Sequence, residues 1–99
     1  MDKIIVQCDP DLEELIPGYM SNRNKDITAM RTCLTAGDFE QIRTIGHSMK
    51  GSGGGYGFDA ITDLGEQIED AALASDTSEI DQAVQKLEDY VNRVEVVYS

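Results

Sequence analysis

His47 is the only histidine in a chain of 99 residues. It stands in the run Thr44-Ile45-Gly46-His47-Ser48-Met49-Lys50-Gly51-Ser52-Gly53-Gly54-Gly55-Tyr56-Gly57-Phe58. An imidazole carries a nucleophilic nitrogen at neutral pH, so it can take up a group and hand it on. Lys50, three residues later, brings a fixed positive charge within reach of anything attached to that ring. Placed on a helix at about 100° per residue, the run buries Phe39, Ile42, Gly46 and Met49 and turns His47 roughly 140° away, toward solvent. Gly51 and Gly54 then fall one and two turns below His47 on the same side, and Gly57 closes the helix. Glycine inside a helix costs about 1 kcal/mol relative to alanine. Its use is close approach: a partner can press onto the bare strip and reach the ring.

The elements that must position these residues read as helices. Asp9-Pro10 is a helix start, with Leu12, Leu15 and Ile16 following. Pro17-Gly18 interrupts or re-starts it, and Tyr19, Met20, Ile27, Met30 and Leu34 continue the stripe until Gly37 ends it. Asp38 caps the histidine helix. Asp59 caps a further helix with Ile61, Leu64, Ile68, Ala71 and Ala72. Ser75-Asp76-Thr77-Ser78 is a loop and cap before the last stripe of Ile80, Ala83, Val84, Leu87, Val91 and Val94. No strand of convincing length stands out, and Val96-Val97-Tyr98 reads as an extension of the last helix. Short connections make neighbouring helices antiparallel. The expectation is an all-α, up-down four-helix bundle with a short extra N-terminal helix, one domain over residues 1–99.

The hairpin arithmetic singles out one more residue. The turn between the histidine helix and the next centres near Gly57-Phe58, so Glu69 comes to the height of His47. A carboxylate there could accept the Nδ1–H of the ring and leave Nε2 free. The plainer alternative is that Glu69 is one of many solvated acids. Gln67, on the opposite flank, is the fallback.

Composition excludes several functions. The chain has 8 Lys+Arg against 19 Asp+Glu, a formal net charge of -11. That argues against nucleic acid and anionic membranes as partners, since both are bound by Lys and Arg clusters. The charge is uneven: residues 1–58 hold 8 acids and 6 bases, whereas residues 59–99 hold 11 acids and 2 bases. The histidine helix is therefore nearly neutral. Ile4-Ile5-Val6 is too short for a signal or membrane-spanning segment, which points to the cytoplasm. Cys8 and Cys33 make neither a CxxC nor a disulfide framework and are expected as free thiols, one of them in a core. No zinc-type spacing occurs, so no metal site is expected. Gly55-Tyr56-Gly57-Phe58-Asp59-Ala60 matches G-x-G-x-x-A in letters only, because no strand precedes it.

His47-Ser48-Met49-Lys50-Gly51, followed by Gly57-Phe58 and by Leu64-Gly65-Glu66-Gln67-Ile68-Glu69, resembles the histidine-containing phosphotransfer (HPt) domain with its H-x-x-K-G signature. The resemblance spans nearly the whole chain. It implies a phosphorelay intermediate: His47 takes a phosphoryl group from a receiver-domain aspartyl phosphate and passes it to another receiver aspartate. Lys50 would stabilise phosphoryl oxygens. Gly51, Gly54 and Arg43 would serve partner approach and docking. Many such domains have Gln where Glu69 stands, while the phosphotransfer domains of chemotaxis kinases have Glu. The partners would be receivers of response regulators and hybrid sensor kinases. No cofactor is expected on this chain, Mg²⁺ belonging to the receiver, and no ATP-dependent kinase activity. The family tends to be monomeric. The alternative is a non-catalytic helical module that binds or sequesters a receiver.

Overall fold

The computed structural model describes residues 2–99. Four helices make the bundle: α1 (Ile16–Ala36), α2 (Phe39–Ser52), α3 (Asp59–Leu73) and α4 (Thr77–Arg93). They pack in a square, α1 on α2, α2 on α3, α3 on α4 and α4 on α1. The expected all-α bundle is present. The N-terminal extra turn is a short 3₁₀ segment, Pro10–Leu12, capped by the Asp9 carboxylate.

Local signals set the helix ends. Pro17 lies in the first turn of α1, where its missing N–H is not needed. Gly37 adopts φ +72° and closes α1, with Asp38 N–H on the Cys33 carbonyl at 2.8 Å and Gly37 N–H on the Leu34 carbonyl at 3.2 Å. Asp38 then caps α2 by accepting from the Gln41 amide at 3.1 Å. This two-residue connection forces α1 and α2 antiparallel. The α3–α4 turn repeats the device with Ser75 at φ +52° and Asp76 as the cap. Asp59 is not the cap of α3: Phe58 holds that position without a side-chain bond, and Asp59 is the first helical residue.

Most of the core comes from the predicted stripes, joined by Phe58 and Cys8 from outside them, while Leu15 of the first stripe is exposed. Met30, Ile42, Met49, Phe58, Ile61, Ile68, Ile80 and Leu87 are fully buried. Tyr19 stacks on Tyr56 at 4.2 Å and reaches the end of α2 through its hydroxyl, 2.9 Å from Ser52 Oγ. Arg23 lies over the Tyr19 ring and pairs with Asp26 at 3.0 Å.

The ends of the chain depart from the all-helical expectation. Residues 94–98 do not extend the last helix. α4 stops at Arg93, and Val94 turns to an extended conformation. Val94–Tyr98 (β2) pairs in parallel with Ile4–Cys8 (β1), Ile4 opposite Val94 and Cys8 opposite Tyr98. The side chains alternate, with Ile4, Val6 and Cys8 facing the bundle alongside Val94, Val96 and Tyr98. β-branched residues suit this pleated, half-buried surface better than another helical turn. Both cysteines are free; Cys8 is buried, and that burial pushes its thiol pKa up.

Candidate functional site

α2 buries Ile42, Ile45, Gly46 and Met49, which turns His47 outward. Its side chain is 74% exposed, and its Nδ1 lies 2.8 Å from Oε2 of Glu69. Glu69 itself is only 14% exposed, so the carboxylate is held at the seam between α2 and α3. A carboxylate only accepts hydrogen bonds, so Nδ1 must be the donor. In the neutral ring this leaves the lone pair on Nε2, on the solvent side. The other oxygen, Oε1, stands 3.7 Å from Lys50 Nζ, which is also 3.9 Å from Glu66 Oε1. One carboxylate thus touches both the ring and the ammonium.

Two glycines make this geometry possible. A β-carbon on Gly46 would stand 2.8 Å from the Glu69 nitrogen and 2.9 Å from the Gly65 oxygen. One on Gly65 would stand 2.5 Å from the Lys50 nitrogen. The backbones of α2 and α3 therefore touch where the site is built, close enough for the glutamate to reach the ring. Thr62 fastens the seam below: it accepts from the Gly54 amide at 2.8 Å, and its hydroxyl donates to the Lys50 carbonyl at 3.2 Å. Gly46, Gly65, Thr62 and Glu66 were not singled out from the sequence. The available signal was a glycine on the apolar stripe of each of two consecutive helices.

The remaining candidates sort clearly. Arg43 and Thr44 line a shallow depression of about 220 Å³ with His47 and Glu69. Gly51 follows His47 by one turn, and a β-carbon there would meet nothing within 4 Å. Gly54 is not two turns down the same helix, because α2 ends at Ser52. It lies in the 3₁₀ turn Gly54–Tyr56, over Asp59 and Thr62. Three successive glycines supply too little helix propensity to carry α2 further. Gly57 likewise ends that turn rather than α2; its φ of +96° delivers Phe58 into the core. Gln67 cannot substitute for Glu69, since it donates to the Glu79 carboxylate on α4.

A search of protein-family models matches residues 11–96 to the Hpt domain. The chain belongs to this family. Hpt domains are helical bundles that carry out histidine phosphotransfer in phosphorelays and work with receiver domains, and the four helices here are that bundle. The match covers all four helices and the first three residues of β2, and leaves out β1. No curated protein and no solved structure matches the chain. Among the described residues, no helix of this Hpt domain is long and apolar enough to cross a membrane.

Proposed function

We propose that this Hpt domain is a phosphorelay intermediate that carries the phosphoryl group on His47. The observation that carries the reading is a ring 74% exposed, fixed through Nδ1 on Glu69 and open at Nε2. The Nε2 lone pair forms the N–P bond as the P–O bond to a receiver aspartate breaks, and the aspartate carboxylate leaves. The ring becomes cationic and keeps its Nδ1–H on Glu69, whose negative charge opposes the new positive one. Transfer to a second receiver aspartate runs the same step backwards. Phosphoryl transfer passes through a loose transition state, so positioning and charge stabilisation are what the proteins supply. Lys50 swings from the carboxylates to the phosphoryl oxygens. Mg²⁺ and the acidic pocket come from the receiver. Gly51 leaves room for the group and for receiver loops, and Arg43 faces the receiver on the other side. The domain acts as a monomer in the cytoplasm, with receivers of response regulators and hybrid sensor kinases as donors and acceptors.

The test is direct. Phosphorylated receivers are mixed with the chain, which should acquire an acid-labile, base-stable phosphate. Equal labelling of His47→Gln would refute the assignment. A chain that binds receivers tightly but never carries phosphate would be a sequestering module instead.

A further inference from the structure

Thr62, Glu66, Glu69 and Leu73 recur on α3 at spacings of four, three and four, so they form one stripe along its edge. The first three meet α2: Thr62 at the Lys50 carbonyl, Glu66 at the Lys50 ammonium, Glu69 at His47. Leu73 is the next position in that stripe, about 6 Å further along the axis than Glu69. Its side chain does not turn into the core. Leu73 is 64% exposed, the most exposed of the large apolar residues. Of the other three, Ile5 and Val97 lie on the terminal ribbon and Leu15 at the start of α1, none of them on α2 or α3.

Since Glu69 is level with His47 in the antiparallel hairpin, Leu73 comes level with Arg43, which lines the depression with Thr44, His47 and Glu69. Two cations, Arg43 and Lys50, flank His47 on α2, within a chain whose net charge is -11. An aspartyl phosphate that reaches Nε2 must bring its acidic rim over these cations. It must also cover the α3 surface around Glu69, and Leu73 is the exposed large apolar residue one helical turn from that carboxylate.

From this juxtaposition we infer that Leu73 is a docking anchor for the receiver domain, seated in an apolar hollow beside the receiver's acidic pocket and setting which receivers are accepted. The inference rests on the phosphotransfer reading above. The contact is one-sided. At Gly51, one turn from His47, the helix carries no side chain, and on the other side Leu73 supplies a knob. A receiver is thereby held in one orientation along the α2–α3 seam. A buried apolar anchor ringed by polar groups is the usual source of affinity in such interfaces.

The experiment separates docking from chemistry by using two donors. Phosphoramidate, a small molecule, needs no docking surface; a receiver charged with acetyl phosphate does. The receiver used is the one that labels the parent chain fastest in a panel. Leu73→Ala should lose about tenfold in kcat/KM with the receiver. It should retain the parent's rate with phosphoramidate and the parent's helical circular dichroism. Leu73→Met, which restores an apolar side chain of similar size, should recover most of the loss. Equal receiver rates for Leu73→Ala and the parent would overturn the anchor while leaving His47 phosphorylation intact. An equal loss with both donors would overturn it too, since the defect would then lie in the chemistry. If neither donor labels the parent at His47, the phosphotransfer reading itself fails, and the anchor with it.

Discussion

The carbonyl oxygen of Gly46 lies 2.7 Å from the point where a β-carbon on Gly65 would stand. The obstacle is backbone on both sides, so no side chain can rotate away. This contact sets the distance between α2 and α3, and so the reach of Glu69 to His47.

Gly65→Ala should accordingly push the two helices apart. Overpacking of this kind costs about 1–3 kcal/mol. Urea denaturation should show a lower midpoint with the slope unchanged. Phosphorylation of His47 by phosphoramidate should slow as well, because the hydrogen bond at the ring lengthens. Parent stability and parent rate together would show that the seam is looser than described.

Glu69 is expected to act through the ring. Glu69→Ala should lower the rate of His47 phosphorylation by about tenfold to a hundredfold, and Glu69→Gln by less, since an amide oxygen can still accept from Nδ1. A readout that packing alone would not move is the ¹⁵N spectrum of the neutral imidazole. The parent should show a protonated Nδ1 and a bare Nε2. Glu69→Ala should show a mixture of tautomers.

Ser75 holds φ +52°, a left-handed conformation that costs a non-glycine residue about 1–2 kcal/mol. Glycine removes that cost but loses about 0.5–1 kcal/mol through its freer unfolded chain. Ser75→Gly should therefore stabilise the domain by about 0.5–1 kcal/mol, raising Tm by about 3–6 °C. An unchanged or lower Tm would mean that the Ser75 side chain contributes more than its strained backbone costs.

Arg31 grips Glu88 with two hydrogen bonds, at 2.8 and 3.0 Å, joining α1 to α4. The hydrogen bond, then the charge of Arg31, hold the Glu88 carboxyl below its usual pKa. A folded pKa below the unfolded one contributes stability above the ordinary carboxylate range, and that contribution is lost as pH falls through the folded pKa. Glu88→Gln should thus be less stable than the parent near neutrality, the gap closing in acid. Thermal melts from pH 7 down to about pH 3 would test this, and a gap independent of pH would refute it.

What was legible in the sequence followed from distances along one chain. The Asp38 cap, the Gly37 stop and the apolar stripes are local, and α1 ends and α2 begins where they say, whereas α2 stops at Ser52 and α4 at Arg93, short of the expected ends. The pairing of His47 with Glu69 was legible because counting outward from a tight hairpin fixes height. Gly46 reads as a buried-face residue and Gly65 as part of the motif, but their role lies in the pair: neither is special until the other helix is placed against it. Gly54 was misplaced because a period was carried past Ser52, through a glycine run that cannot sustain it. The strands were missed because Val94 and Ile4 pair across almost the full length of the chain, where no local pattern can announce a partner.

The ribbon has a mechanical meaning. Its strands run in parallel, so the segment before Ile4 leaves at one end of the ladder and the segment after Tyr98 at the other. Tension applied to the two ends of the chain pulls the strands past each other along their length. The registered pairs from Ile4–Val94 to Cys8–Tyr98 then bear the load together, in shear, instead of parting one by one like a zip. Held between two anchored neighbours, this bundle would resist stretching through its clasp, before any force reached the seam that carries His47.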